Sequence, residues 1–157
     1  MRARQRGLAT VEFAIAGGLA IAVLIASIEV LRAFFVMSAL GEGTRRAARQ
    51  AVVCPMNDAA VKDALLSMPG AAIPALAAAN ITVNYLTAAG GTTSDPDDAS
   101  FVQVQITGYT LSLLIPKMSP DDSGGPLSIT LPPFRTTLPV ESLGYLPDSG
   151  GFGCPGT

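Results

Sequence analysis

The sequence predicts an α+β chain: a long N-terminal helix able to cross a membrane, then a small domain with short helices and a three-stranded antiparallel sheet. Three observations carry this. An apolar run from Leu8 to Ile28 follows a short basic leader. A helical pattern then continues to Val53, just ahead of Pro55. Beyond Asn80 the hydrophobic period changes to two, the signature of strands.

The first element sets the organisation. Arg2, Arg4 and Arg6 precede Gly7, and the run from Leu8 to Ile28 spans about 31 Å as a helix, which matches the hydrocarbon core of a bilayer. Glu12 is out of place in it, since a carboxylate at mid-membrane costs about 2.5–3.5 kcal/mol. Ala14, Gly18, Ala22 and Ala26 recur at every fourth position and share one face. Such a stripe lets a second helix approach closely in lipid, although alanine is common in apolar runs anyway.

Gly7, then Leu8-Ala9-Thr10-Val11, then Glu12-Phe13, resembles the processing site of type IV pilin-like precursors. With the very short leader and Ile28-Glu29-Val30-Leu31-Arg32 at the far end, residues Arg6 to about Gln50 resemble the TadE/TadF-like minor pilins (pseudopilins) of the tight-adherence, or Flp, pilus system. The resemblance implies a pilin-like fold and cleavage after Gly7 by a prepilin peptidase, so that Leu8 begins the mature chain and Glu12 is the hallmark acid. It also implies a priming, capping or recruiting role in a pilus used for adhesion. The implied partners are the prepilin peptidase, the major pilin, a companion minor pilin and the inner-membrane pilus assembly platform. Members of the family often carry proline about six residues after the glutamate, where this chain has Gly18.

Cleavage there gives Glu12 a physical purpose. Leu8 would carry a new α-amine one helical turn from the carboxylate, and pairing offsets part of the cost of burying either charge. The resemblance implies that this pairing is made with a neighbouring subunit's N-terminus. The simpler alternative is that Glu12 snorkels to the nearby cytoplasmic interface. A secretory signal peptide is a competing reading of the leader, but the apolar stretch exceeds the usual ~7–15 residues and no clean Ala-x-Ala site follows. An unprocessed, single-pass anchored periplasmic binding module is the alternative function.

Past the span, Glu29 and Arg32 stand three apart, placed for an ion pair. Gly41 and Gly43 are expected to interrupt the helix, at roughly 1 kcal/mol each relative to alanine. Arg45, Arg46 and Arg49 then make a basic helix face, either solvated or a contact with a membrane surface or partner. Asn57 or Asp58 can cap a second helix that ends near Pro69-Gly70, and alanine-rich residues 71–79 suit a further short helix. Ile81, Val83 and Tyr85 alternate as one strand; Phe101 to Ile115 reads as the longest, with Gly108 breaking its rhythm as a bulge; Leu127 to Leu131 is the third, stopped by Pro132-Pro133. The tail from Arg135 carries no expected element and depends on Cys154 for order. The expected organisation is therefore a leader over 1–7, a transmembrane and extended helix over 8–53, and a periplasmic domain over 54–157.

Cys54 and Cys154 have the spacing of neither a redox motif nor a zinc site. In an oxidising compartment they can join, closing a loop worth up to ~4.7 kcal/mol in the chain-entropy model; two buried free thiols are the alternative. Arginines flank both ends of the span, so charge alone does not orient it. The short leader, too small to form a domain, and the C-terminal cysteines favour an inner-membrane protein with a cytoplasmic N-terminus and a periplasmic C-terminal domain, incorporation into an extracellular pilus being a further expectation.

Composition narrows the chemistry. The 157 residues contain no histidine, which removes the commonest general base and metal ligand. Net charge is −2 with 14% charged residues, so there is no nucleic-acid footprint. Asp95, Asp97 and Asp98, and separately Asp121 and Asp122, lack EF-hand spacing, and the Gly-Gly pairs lack a phosphate-loop ending. Neither Lys62 nor Lys117 lies in an apolar setting that would tune it as a base. No enzyme and no cofactor are expected.

Overall fold

The computed structural model describes residues 5–68, 73–116, 126–146 and 151–154. Arg2 and Arg4 of the leader, Pro69-Gly70, Lys117, and Asp121 with Asp122 lie outside the described residues. Two compact units are present, one running to Phe34 and one beginning at Phe35.

The first unit is the N-terminal part of α1, which spans Gln5–Val53. Leucine, isoleucine, valine and alanine dominate it, and its apolar side chains are largely exposed, Phe13 at 79% and Leu8 at 72%. One helix is long and apolar enough to cross a membrane. Ser27 returns its hydroxyl to the carbonyl of Val23 at 2.8 Å, which satisfies that hydroxyl inside the helix. Glu29 is only 5% exposed and pairs with Arg32 at 3.4 Å, as the spacing predicts.

In the second unit, α1 continues without interruption through both glycines. Gly41 has open space around it, whereas Gly43 is a contact point: a methyl there would lie 2.6 Å from Leu65 Cδ2 and 3.1 Å from Met68 Sδ. The expected break is therefore corrected. The helical propensity of the flanking residues carries the helix through, and Gly43 lets the next helix come close. Thr44 donates to the Gly41 carbonyl at 2.9 Å. The buried positions Val36, Leu40, Thr44, Ala47, Ala48, Ala51 and Val52 recur at helical spacing, and Arg45, Arg46 and Arg49 fall on the opposite, exposed face. Pro55 lacks an amide hydrogen, so α1 ends with the Cys54 amide on the Gln50 carbonyl at 3.0 Å.

The second helix, α2, spans Ala59–Leu66, with Asp58 as its N-cap accepting from the Ala60 amide at 2.8 Å. It buries Val61 and Leu65. The alanine-rich stretch makes no α-helix among its described residues, only a 3₁₀ turn at Ala78–Asn80. Pro74 and a positive φ at Ala75 deny it a regular helical start.

Among the described residues eight strands follow: β1 Ile81–Leu86, β2 Thr92–Thr93, β3 Phe101–Ile106, β4 Thr110–Pro116, β5 Pro126–Thr130, β6 Phe134–Pro139, β7 Tyr145–Leu146 and β8 Gly151–Phe152. The principal sheet has four strands in the order β2-β1-β3-β6, paired antiparallel throughout, so the expected three-stranded sheet gains a strand. All three expected strands are found: the first two pair with each other as β1 and β3, and the third, β5, pairs with β4 outside the principal sheet. The stretch from Phe101 to Ile115 is divided at Gly108, whose φ of 64° turns the chain out of the principal sheet into a separate β4–β5 hairpin. What reads as a bulge is a corner. Phe134–Pro139, expected to lie in a tail without structure, is the strand that completes the sheet beside β3.

Val102, Val104 and Ile106 mark the inner face of β3, and Ile81 and Tyr85 that of β1. Thr136 stands opposite Val104 and so shares this face. Its hydroxyl lies 3.1 Å from that of Thr44, joining β6 to α1 across the core.

Candidate functional site

Gly7, Leu8, Glu12 and Phe13 all lie on the exposed surface of α1, with Glu12 one helical turn beyond Leu8. Ala14, Gly18, Ala22 and Ala26 are exposed on the same helix, and the Gly18 backbone has no heavy atom within 4 Å of where a methyl would stand. The helix thus presents an exposed carboxylate and an exposed face of small residues. In water this surface would be costly; in lipid, or against another apolar helix, it is the expected exterior.

Cys54 and Cys154 form a disulfide, with Cα atoms 4.4 Å apart, although 100 positions separate them in sequence. This bond joins the end of α1 to the C-terminal segment. The same junction is held by two features that the spacing of residues does not announce. The Leu143 amide donates to the Val52 carbonyl at 3.2 Å, satisfying one of the carbonyls left open where α1 stops. Gly144, at φ 81°, presses its Cα against Pro55, where a methyl would lie 2.6 Å from the Pro55 nitrogen. Gly144 between Leu143 and Tyr145 is the only sequence signal of that turn.

Two titratable groups outside the apolar run, among the described residues, have shifted titrations. The Arg46 guanidinium bonded to Glu42 at 2.9 Å holds that carboxyl below its usual range. Burial pushes the Tyr85 phenol up, against the opposing effect of the Asn57 amide that donates to it. Neither sits in a catalytic arrangement. Among the described residues no group of histidine, cysteine, aspartate and glutamate is placed to hold a metal ion. Asp95 accepts from the Asp97 amide at 3.0 Å, an ordinary turn that fixes the loop before β3.

An exposed apolar helix that begins with a glycine–glutamate spacing is the feature that comparison with known families singles out. Residues 7–49 match the family of TadE-like proteins. Over this segment the chain is similar to TadE-like proteins. The match starts at Gly7 itself, takes in Glu12 and the small-residue face, and stops within α1 at Arg49, before the disulfide and the sheet. TadE-like proteins form a structural family associated with the Tad pilus, and the chain is similar to them over this segment. No curated protein and no solved structure matches the chain.

Proposed function

We propose that this protein is a minor pilin or pseudopilin of a Flp/Tad-type system, cut after Gly7 by a prepilin peptidase and acting in pilus assembly by priming, capping or recruitment. The observation that carries the proposal is the TadE-like match opening on Gly7, set on a helix whose apolar surface is exposed. In this reading α1 enters the inner membrane with its N-terminus cytoplasmic, and the disulfide-linked domain lies in the periplasm. Cleavage creates an α-amine on Leu8, and Glu12 neutralises such an amine on a neighbouring subunit as helices pack. The Ala14, Gly18, Ala22 and Ala26 face supplies close approach at the same stage. The companion minor pilin, the major pilin and the inner-membrane assembly platform are the partners.

The proposal is tested by Glu12→Ala and Glu12→Gln in cells that assemble the pilus. Both variants are expected to insert in the membrane at wild-type levels and to fail to enter assembled pili. Normal incorporation of Glu12→Ala removes the pairing role. If instead the wild-type chain itself stays in the membrane and never co-purifies with pilus subunits, an anchored periplasmic binding module is the better description.

A further inference from the structure

The globular unit carries two surfaces of opposite charge. Residues 96–99 and 140–145 enclose an open cleft of about 460 Å³ lined by Asp97, Ala99, Glu141, Ser142, Leu143 and Tyr145. The cleft is built into the fold rather than formed by loose ends. The Val140 amide donates to the Ser100 carbonyl at 3.0 Å, and the Leu143 amide reaches Val52. Two carboxylates and the exposed ring of Tyr145 around one concavity are the chemistry that receives a guanidinium, by charge-assisted hydrogen bonds and by cation–π contact. Among the described residues no cation is within ion-pair distance of Asp97 or Glu141.

The complementary surface is on α1. Arg45 and Arg49 stand four residues apart on its exposed face, and neither has a carboxylate partner among the described residues, Glu42 being bonded to Arg46. We propose that the acidic cleft of one copy receives Arg45 and Arg49 of a second copy of this chain. Axial position supports that occupant. Leu143, on the cleft wall, is bonded to Val52, and Arg49 precedes Val52 by three residues, about 4.5 Å of helix rise. The cleft and the basic face therefore stand within about one helical turn of each other along α1. Parallel neighbours anchored in one bilayer meet side by side with no larger axial shift. Because different surfaces meet, the contact is heterologous and repeats from copy to copy in a row or an open helix. It concerns the globular unit alone and holds whether or not the leader is removed, so its failure is distinguishable from that of the pilin reading, which the N-terminus of the chain decides.

The test uses the full chain in detergent micelles. Arg45→Lys/Arg49→Lys keeps both charges and supplies amines, and a carbodiimide then joins amine to carboxylate only at direct contact. Equal amounts of ¹⁴N and ¹⁵N chains are mixed, coupled, digested and read by mass spectrometry. The expected product links position 45 or 49 to Asp97 or Glu141, with one light and one heavy peptide. Reversal with R45E/R49E should lower dimer yield roughly tenfold through like-charge repulsion, and mixing R45E/R49E chains with D97K/E141K chains should restore it. Peptides of one isotope only, which mean contact within a chain, overturn the proposal. So does coupling to neither carboxylate, or failure of the swapped pair to restore the dimer while both variants keep wild-type circular dichroism.

Discussion

Replacing Gly144 by alanine tests the junction between α1 and the C-terminal segment, and Gly90 supplies a control. Both glycines have a left-handed backbone, φ 81° at Gly144 and 84° at Gly90. Placing an L-residue there costs about 1–2 kcal/mol in either case. The surroundings differ. At Gly90 a methyl meets no heavy atom within 4 Å, whereas at Gly144 it would lie 2.5 Å from Pro55 Cδ and 2.6 Å from Pro55 N. A proline ring and its backbone nitrogen cannot swing aside like the end of a flexible side chain, so relief requires moving the turn, and the Leu143–Val52 hydrogen bond moves with it. Overpacking of this kind adds about 1–3 kcal/mol, for a total of about 2–5 kcal/mol at Gly144 against about 1–2 at Gly90. Urea unfolding of the full chain in micelles, followed by the strand signal in circular dichroism, measures both. Equal losses for Gly144→Ala and Gly90→Ala would refute the reasoning, because backbone conformation alone would then account for them.

Three further outcomes are expected. Cys154→Ser opens the 100-residue loop and should lower stability by about 2–5 kcal/mol, with intact mass confirming loss of the bond in the variant; a loss below about 1 kcal/mol would mean the rest of the junction holds unaided. Tyr85 is held neutral by burial, its folded value lying above the unfolded one near 10. Its contribution is thus full below pH ~10 and is lost as pH rises through the folded value, so unfolding midpoints should fall on the alkaline side, and Tyr85→Phe should flatten that fall. A stability that climbs over the same range contradicts the burial argument. Gly41 lies within α1 with open space about it, so Gly41→Ala should raise the unfolding midpoint by the equivalent of about 0.5–1 kcal/mol, and a decrease would place an unseen neighbour there.

The apolar helix, the Asp58 cap and the strands led by Ile81 and Phe101 were legible because each rests on local pattern: periodicity, a capping side chain, alternation. What escaped depends on contacts distant in sequence. Gly41 and Gly43 look like helix breakers until Leu65 and Met68 are brought against the second of them. Gly108 breaks a long alternation, and nothing local says whether the chain bulges within one sheet or leaves it; the turn to β4 is fixed by Asn80, whose side chain donates to the Thr107 carbonyl at 3.1 Å. β6 was masked by Pro132-Pro133 before it and by a glycine-rich tail after it, although Phe134, Thr136 and Leu138 do alternate with exposed neighbours. The proposed processing and packing residues rest on motif and spacing, while the cleft of Asp97 and Glu141 joins two loops some forty residues apart and has no sequence signature.

The central claim is that this chain is made as a precursor whose working form begins at Leu8. The direct measurement is the N-terminal sequence and intact mass of the full-length protein, expressed with and without an active prepilin peptidase. The account predicts Leu8 as the first residue, N-methylated or not, only where the peptidase is active. A chain that still begins with Met1 in its presence contradicts it.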